Sequence, residues 1–293
     1  MPYFYLIASL GLSTLISIFG GFYNRKNADK ANPAPVYNLV YCLSCLVCWV
    51  ILFATDFSFD ARVLLYSCGF GLCYTFCQIG FIGALRTGPL SLTNLLLQLS
   101  LIGTTIWGFF FWNTEFTPLV GAGLVLVVLS LWLSLYTKSE KGDEEKGARV
   151  SLKWLFYSLL AFTGNAGCSI IQRTQQMQFN GEYGNQLMAF ALAFAVAFAL
   201  VIYIRSDKTQ NRAILKSSAI FPLLSGVANF VLNLFVILLA STSISPGVIY
   251  PVIAVGGMAL ISIFSLVIFR EKLRFTQWIG IGVGAIAVLL LSI

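Results

Sequence analysis

Uncharged polar side chains recur at helical spacing in several apolar stretches of this chain. Ser9, Ser13 and Ser17 are each four residues apart, as are Tyr74 and Gln78, Asn94 and Gln98 (with Thr105 beyond), and Asn229 and Asn233. Asn165, Ser169 and Gln172 follow a four-then-three spacing. Residues three or four apart share one face of a helix, so each stretch carries a polar stripe. Hydroxyls and amides donate and accept hydrogen bonds without changing charge. The chemistry they offer is recognition of a solute, not proton transfer or covalent attack. On this reading Ser13, Ser17, Tyr74, Gln78, Asn94, Gln98, Asn165, Asn229, Asn233 and Tyr250 are the candidate solute ligands, the two tyrosines offering a flat ring as well as a hydroxyl. The competing role for each is structural. Serines bond back to their own helix or allow close packing, and amides tie helices together.

Residues for other chemistries are scarce. The chain has no histidine, and its 11 acidic residues all fall outside the apolar stretches, with Glu115 nearest an edge. A proton relay within a membrane uses a carboxylate or histidine, so a carrier driven by its solute's own gradient is expected ahead of a proton-coupled one. A membrane-embedded, lipid-modifying enzyme would have only Asp56, Asp60, Glu115 and Glu182 to work with, and the chain is not expected to be an enzyme. Cys42, Cys45 and Cys48 have the spacing of an iron–sulfur motif, but they lie in an apolar helix without an obvious fourth ligand. They are expected to be small packing residues, and neither metal nor cofactor is expected. No phosphate-binding glycine loop is present.

The elements that must carry these stripes are membrane helices. Of 293 residues 58% are hydrophobic and 10% charged, and the mean hydropathy is +0.87. A soluble domain is about 25% charged and could not hide so much apolar surface in one core. A span needs about 20 apolar residues, and ten runs qualify: 3–23, 35–55, 63–85, 90–111, 116–136, 152–172, 185–204, 214–240, 247–269 and 276–293. Basic residues favour cytoplasmic loops. With both termini outside, every Lys and Arg except Arg62 and Arg173 falls at the cytoplasmic side, including Arg86, which is expected to snorkel. The net charge of +7 is spread through these short loops, which argues against nucleic-acid binding. A multi-pass protein of the plasma membrane (the inner membrane if bacterial) is expected, with the lipid bilayer and a small-molecule solute as partners, as a monomer or homodimer.

The chain divides into two halves, 1–136 and 152–293, joined by a charged cytoplasmic linker over 137–151. Phe116-Thr117, Gly121 and Gly123 recur 159 residues on as Phe275-Thr276, Gly280 and Gly282, and Gly88-Pro89-Leu90-Ser91 has a counterpart in Ser245-Pro246-Gly247-Val248. Five spans per half is an odd number, so the second half enters the bilayer from the opposite side. This is the inverted repeat used by secondary transporters. Gly280 and Gly284 form a small-xxx-small helix-packing pattern that serves either the bundle or a dimer. Pro246 is placed to open the ninth run and Pro251 to kink it.

With the segment Phe269-Arg270-Glu271-Lys272-Leu273-Arg274-Phe275-Thr276-Gln277-Trp278-Ile279-Gly280, the five-plus-five arrangement resembles the drug/metabolite transporter superfamily, EamA type. Glu271, Leu273 and Gly280 match its turn into the last helix, and Asn113-Thr114-Glu115-Phe116 matches less well in the first half. The resemblance implies an all-α, polytopic protein of ten transmembrane helices, two inverted five-helix repeats around a central cavity, with the fifth and tenth helices peripheral. The function expected is secondary transport by alternating access, as facilitator or exchanger and in the export direction, of a metabolite such as an amino acid, nucleoside or amine. The alternative is a proton-coupled transporter of drugs or quaternary amines.

Overall fold

The computed structural model describes residues 2–112, 116–135, 151–240, 246–271 and 273–291. Glu115 and all of the 137–151 linker except Ser151 lie outside the described residues, as does the side chain of Tyr250. Among the described residues the regular structure is entirely helical: α1 (Pro2–Lys26), α2 (Ala34–Thr55), α3 (Val63–Thr87), α4 (Leu90–Leu99), α5 (Leu101–Phe111), α6 (Pro118–Leu135), α7 (Leu152–Gln178), α8 (Gly184–Arg205), α9 (Lys208–Ser218), α10 (Ile220–Ala240), α11 (Pro246–Val267) and α12 (Phe275–Leu291). Six of these segments are long and apolar enough to cross a membrane, counting α4 with α5 as one, and α9 with α10 makes a seventh as a bent pair. Three shorter apolar stretches lie in α6, α11 and α12.

Helix boundaries follow local chemistry. Proline stands in the first turn of α2 and opens α6 and α11, where its missing N–H costs no bond. The hydroxyl of Ser151 accepts from the Trp154 amide at 3.0 Å to cap α7, and Asp207 caps α9 through the amides of Thr209 and Gln210, as short polar side chains do at helix starts. Two apolar runs are divided. Run 90–111 breaks at Ser100, whose hydroxyl donates to Leu97 O at 2.6 Å and accepts from Asn165 Nδ2 at 2.7 Å. Run 214–240 divides at Ala219, where α9 and α10 meet at 67°.

The helices segregate by face. On α2, Leu43, Val47, Val50 and Ile51 are exposed while Cys42, Cys45 and Trp49 on the opposite side are buried. An outward apolar stripe of that kind is what lipid solvates. Pairings between distant helices dominate: α3 on α7 and α8, α1 on α10 and α11, α2 on α8 and α10, α6 on α12, and α11 on α4. The α6–α12 contact uses the small-residue pattern, with Ser130 Oγ donating to Gly280 O at 2.7 Å and Leu95 and Ser130 lying against Gly284. That pattern therefore serves packing inside the bundle.

Close approach of α3 and α7 depends on glycine. A methyl added at Gly164 meets Cys77 N at 2.6 Å and Cys73 O at 2.7 Å, backbone atoms that cannot step aside. Overpacking of this kind costs about 2 kcal/mol, so Gly164→Ala is expected to lower the melting temperature by about 4–8 °C. Gly282→Ala, with open space at the added methyl, is expected to leave it unchanged or raise it. Thermal unfolding of the two variants in detergent is the check.

Candidate functional site

A cavity of about 630 Å³ opens at one end of the bundle between α2, α7, α8 and α10. This falls within the range of small-molecule sites. Its mouth is formed by Asp56 and Ser58 from the α2–α3 connection and by Glu182, Tyr183 and Asn185 around the start of α8. Gln172 and Gln176 of α7, Asn233 of α10 and Trp49 of α2 line its walls.

The mouth is a constructed one. The turn from α7 to α8 reverses through left-handed backbone at Asn180, Gly181 and Tyr183 (φ 53°, 81° and 60°), and Gln175 Nε2 pins it by donating to Glu182 O at 2.8 Å. The opposite loop is held by a reciprocal pair, in which the Asp60 amide donates to Gln186 Oε1 and Gln186 Nε2 donates to Asp60 O, both at 2.8 Å. Asn185 Nδ2 reaches across to Asp56 Oδ2 at 3.2 Å. The Arg62 guanidinium beside Asp60 (2.7 Å) holds that carboxyl below the usual carboxylate range.

Below the mouth the polar groups form a chain. Asn233 Nδ2 donates to Asn229 O at 2.7 Å and to Asn229 Oδ1 at 3.2 Å. Tyr74 OH donates to the same Oδ1 at 3.3 Å, and Cys45 Sγ approaches it at 3.7 Å. Tyr74 then begins a stack of phenol rings that continues through Tyr41 to Tyr37, with centroids 6.0 and 5.7 Å apart, and Tyr23 meets Tyr37 edge-on at 5.0 Å. Tyr23, Tyr37 and Tyr41 are buried with Phe81, Ile82 and Ile214 around them, and Tyr23 OH closes the column by donating to Pro33 O at 2.7 Å. On α2, Tyr41 and Tyr37 stand more than one turn nearer the helix start than Trp49 of the cavity wall.

That second end is tied shut across distant parts of the chain. The Glu271 carboxylate accepts from the Leu90 amide, from the Ser91 amide at 3.3 Å and from Ser91 Oγ at 2.9 Å. It thus caps the N-terminus of α4, where the helix dipole favours an anion. Arg25 donates to the carbonyls of Ile268 (3.4 Å) and Phe269 and lies 4.5 Å over the Phe269 ring. That ring fills the notch left at Gly21. Arg86 donates to Ala31 O and Lys26 to Ser217 O. A smaller cavity of about 320 Å³ lies here between Asn24, Arg25, Arg86 and Glu271, and shares no lining residue with the larger one.

Nine of the ten candidate ligands, all but Tyr250, have described side chains, and they take different places. Asn233 lines the large cavity, and Asn229 and Tyr74 join it by hydrogen bonds. Ser17 donates to Asn94 Oδ1 at 2.8 Å while Asn94 Nδ2 donates to Leu90 O at 2.9 Å, so this pair ties α1 to α4. Asn165 bonds Leu97 O and Ser100 at the α4–α5 break. Ser13 bonds Leu10 O of its own helix and lies against Gly257. Gln78 and Gln98 are half-buried. Trp49, Gln176 and Asn185 line the cavity but are not among the ten candidates, and Asp56 and Glu182 stand in the sequence only as residues an enzyme could use. Gln176 does have a sequence signal, since it continues the Asn165–Ser169–Gln172 stripe by one more turn. Among the described residues no three His, Cys, Asp or Glu side chains gather where they could hold a metal ion, and all seven cysteines are free.

No known family matches the sequence, and no curated protein does. The fold does have counterparts, with 27 solved chains matching it. One, a crystal structure described only as that of a protein, superposes over 98% of this chain and 95% of its own with a TM-score of 0.57 at 11% identity. At that identity the similarity concerns the fold alone.

Proposed function

We propose that the chain is a secondary transporter of a small organic solute, built as two inverted five-helix repeats of the drug/metabolite transporter kind. The observation that carries the reading is a polar-walled cavity reaching one end of an apolar helical bundle and linked through Asn233 and Asn229 to buried, stacked tyrosines, while hydrogen bonds tie distant parts of the chain together at the other end.

Packing supports the repeat. Matching α1, α2, α3, α4–α5 and α6 with α7, α8, α9–α10, α11 and α12 carries each major pairing onto another: α3·α7 onto α10·α1, α3·α8 onto α10·α2, and α1·α11 onto α7·α4–α5. The pairs α2·α8, α6·α12 and α4·α11 map onto themselves. Such exchange is what a two-fold relation between halves would produce. With five spans each, that axis lies in the membrane plane. Two halves that can swap conformations can also swap which end is open.

No Asp or Glu lies within a helix among the described residues. That supports a facilitator or exchanger driven by the solute's gradient over a carrier with an intramembrane proton relay. Polar amides in the walls suit solutes of the amino-acid, nucleoside or amine kind.

Counterflow in proteoliposomes tests this. Vesicles loaded with millimolar unlabelled candidate solutes of these classes are expected to accumulate external labelled solute transiently, with saturation and acceleration from the far side. Flux without saturation would mark a channel, and a change in the solute's mass would mark an enzyme.

A further inference from the structure

We infer that the large cavity, read above as the transport site, selects a solute bearing an ammonium group together with an uncharged hydrogen-bond acceptor, and turns anions away. Its lining contains two carboxylates, Asp56 and Glu182, and no lysine or arginine. Among the described residues neither carboxylate is in an ion pair. Asp56 meets only the neutral amide of Asn185. The basic residues nearest in sequence already have partners, and Arg62 has its own at the same rim, where the Phe179 ring beneath it packs on Tyr183. Arg62 is bound to Asp60 and sits 5.1 Å over Phe179, and Arg173 sits 5.0 Å over Trp112. A cleft lined by one sign of charge, with low-dielectric walls, concentrates the opposite charge.

The inner wall adds a second requirement. Trp49 is 1% exposed, and its indole N–H has no hydrogen-bond partner. A buried donor left unmade is costly, and beside a cavity it marks a place for an acceptor from a ligand. Gln172 lines the walls as well and can present its amide N–H groups to such an acceptor, whereas both N–H groups of Asn233 are already given to Asn229. An aromatic face also tolerates an ammonium group, whereas nothing in the lining neutralises a carboxylate or phosphate. An amine with a hydroxyl or carbonyl elsewhere on its skeleton satisfies both ends. The inference rests on the transport reading for its purpose, but its geometry is that of the cavity alone.

Thiol labelling of Asn233→Cys in detergent tests it, with rates corrected for the wild-type protein's own cysteines. Two reagents are compared, the cationic trimethylammonium-ethyl and the anionic sulfonatoethyl methanethiosulfonates, each normalised to its rate with 2-mercaptoethanol. The cation is expected to be favoured about tenfold. The preference is expected to fall to near one in Asn233→Cys carrying Asp56→Asn and Glu182→Gln, both at exposed positions. Millimolar tyramine is expected to slow labelling, while its neutral analogue tyrosol and the anion 4-hydroxyphenylacetate do not. A ratio near one from the start, a ratio indifferent to the neutralised carboxylates, no protection by tyramine, or equal protection by an analogue overturns the inference while leaving the cavity standing. Failure of both reagents to label position 233 removes the cavity itself, and the transport reading with it.

Discussion

Glu271→Ala is expected to open the end of the protein that carries the basic connections. The carboxylate accepts two amides and a hydroxyl at the start of α4, across 180 residues of chain. Hydrogen bonds to a charged acceptor contribute about 1.5–3 kcal/mol, and an anion at a helix N-terminus adds about 0.3–1 kcal/mol. Glu271 is half-buried, so solvent screens part of this. About 2 kcal/mol is a reasonable total, equivalent to about a thirtyfold shift between sealed and open forms. Labelling of Asn24→Cys, which lines the small cavity at this end, is expected to accelerate by a similar factor in the Glu271→Ala background. An unchanged rate would reduce Glu271 to an ordinary helix cap.

The second large effect is expected at Asn229. Its side-chain oxygen takes hydrogen bonds from Tyr74 and Asn233 at once. Asn229→Leu leaves the Tyr74 hydroxyl without its acceptor and frees one hydrogen bond of Asn233, which keeps the Asn229 backbone carbonyl. A buried polar group without a partner costs about 1–3 kcal/mol. Solute exchange is expected to fall about thirtyfold, with a lower melting temperature. Adding Tyr74→Phe removes the stranded hydroxyl. In that double variant stability is expected to recover while exchange stays low, because the amide that positions Asn233 at the cavity is still missing. Recovery of both would assign Asn229 to structure alone, and the cycle separates the two outcomes.

Much of the helical layout is legible in the sequence. Apolar runs have a length dictated by bilayer thickness, and the outer stripe of α2 follows from helical periodicity. The breaks are less so. Ser100 interrupts a run that is apolar on both sides because Asn165, 65 residues away, holds its hydroxyl, and no local signal announces such a partner. The start of α9 is obscured for another reason: Ile214 and Leu215 read as the start of a span, while the helix that Asp207 caps begins six residues earlier, at Lys208, in a polar context.

The site was partly legible for the same physical reasons. A polar stripe identifies a face, and the stripe on α10 does lead to the cavity. It does not say whether that face meets solvent or another helix. Asn94 and Asn229 look alike in sequence, yet one is consumed by Ser17 and the other leads to Asn233. Asp56 and Glu182 come together at one mouth only because two connections fold toward each other, one through left-handed turns and the other through Gln186. The Glu271 cap depends on a contact between the two halves, and sequence spacing within either half is silent about it.

The central claim is that the two ends open in alternation. Pulsed electron spin resonance on two label pairs tests it without a solute: Ser58 with Gln176 across the large cavity, and Ala28 with Arg270 across the sealed end. Introducing Glu271→Ala is predicted to lengthen the 28–270 distance and shorten the 58–176 distance together. A 28–270 distance that lengthens while 58–176 stays fixed, or lengthens too, would contradict alternating access.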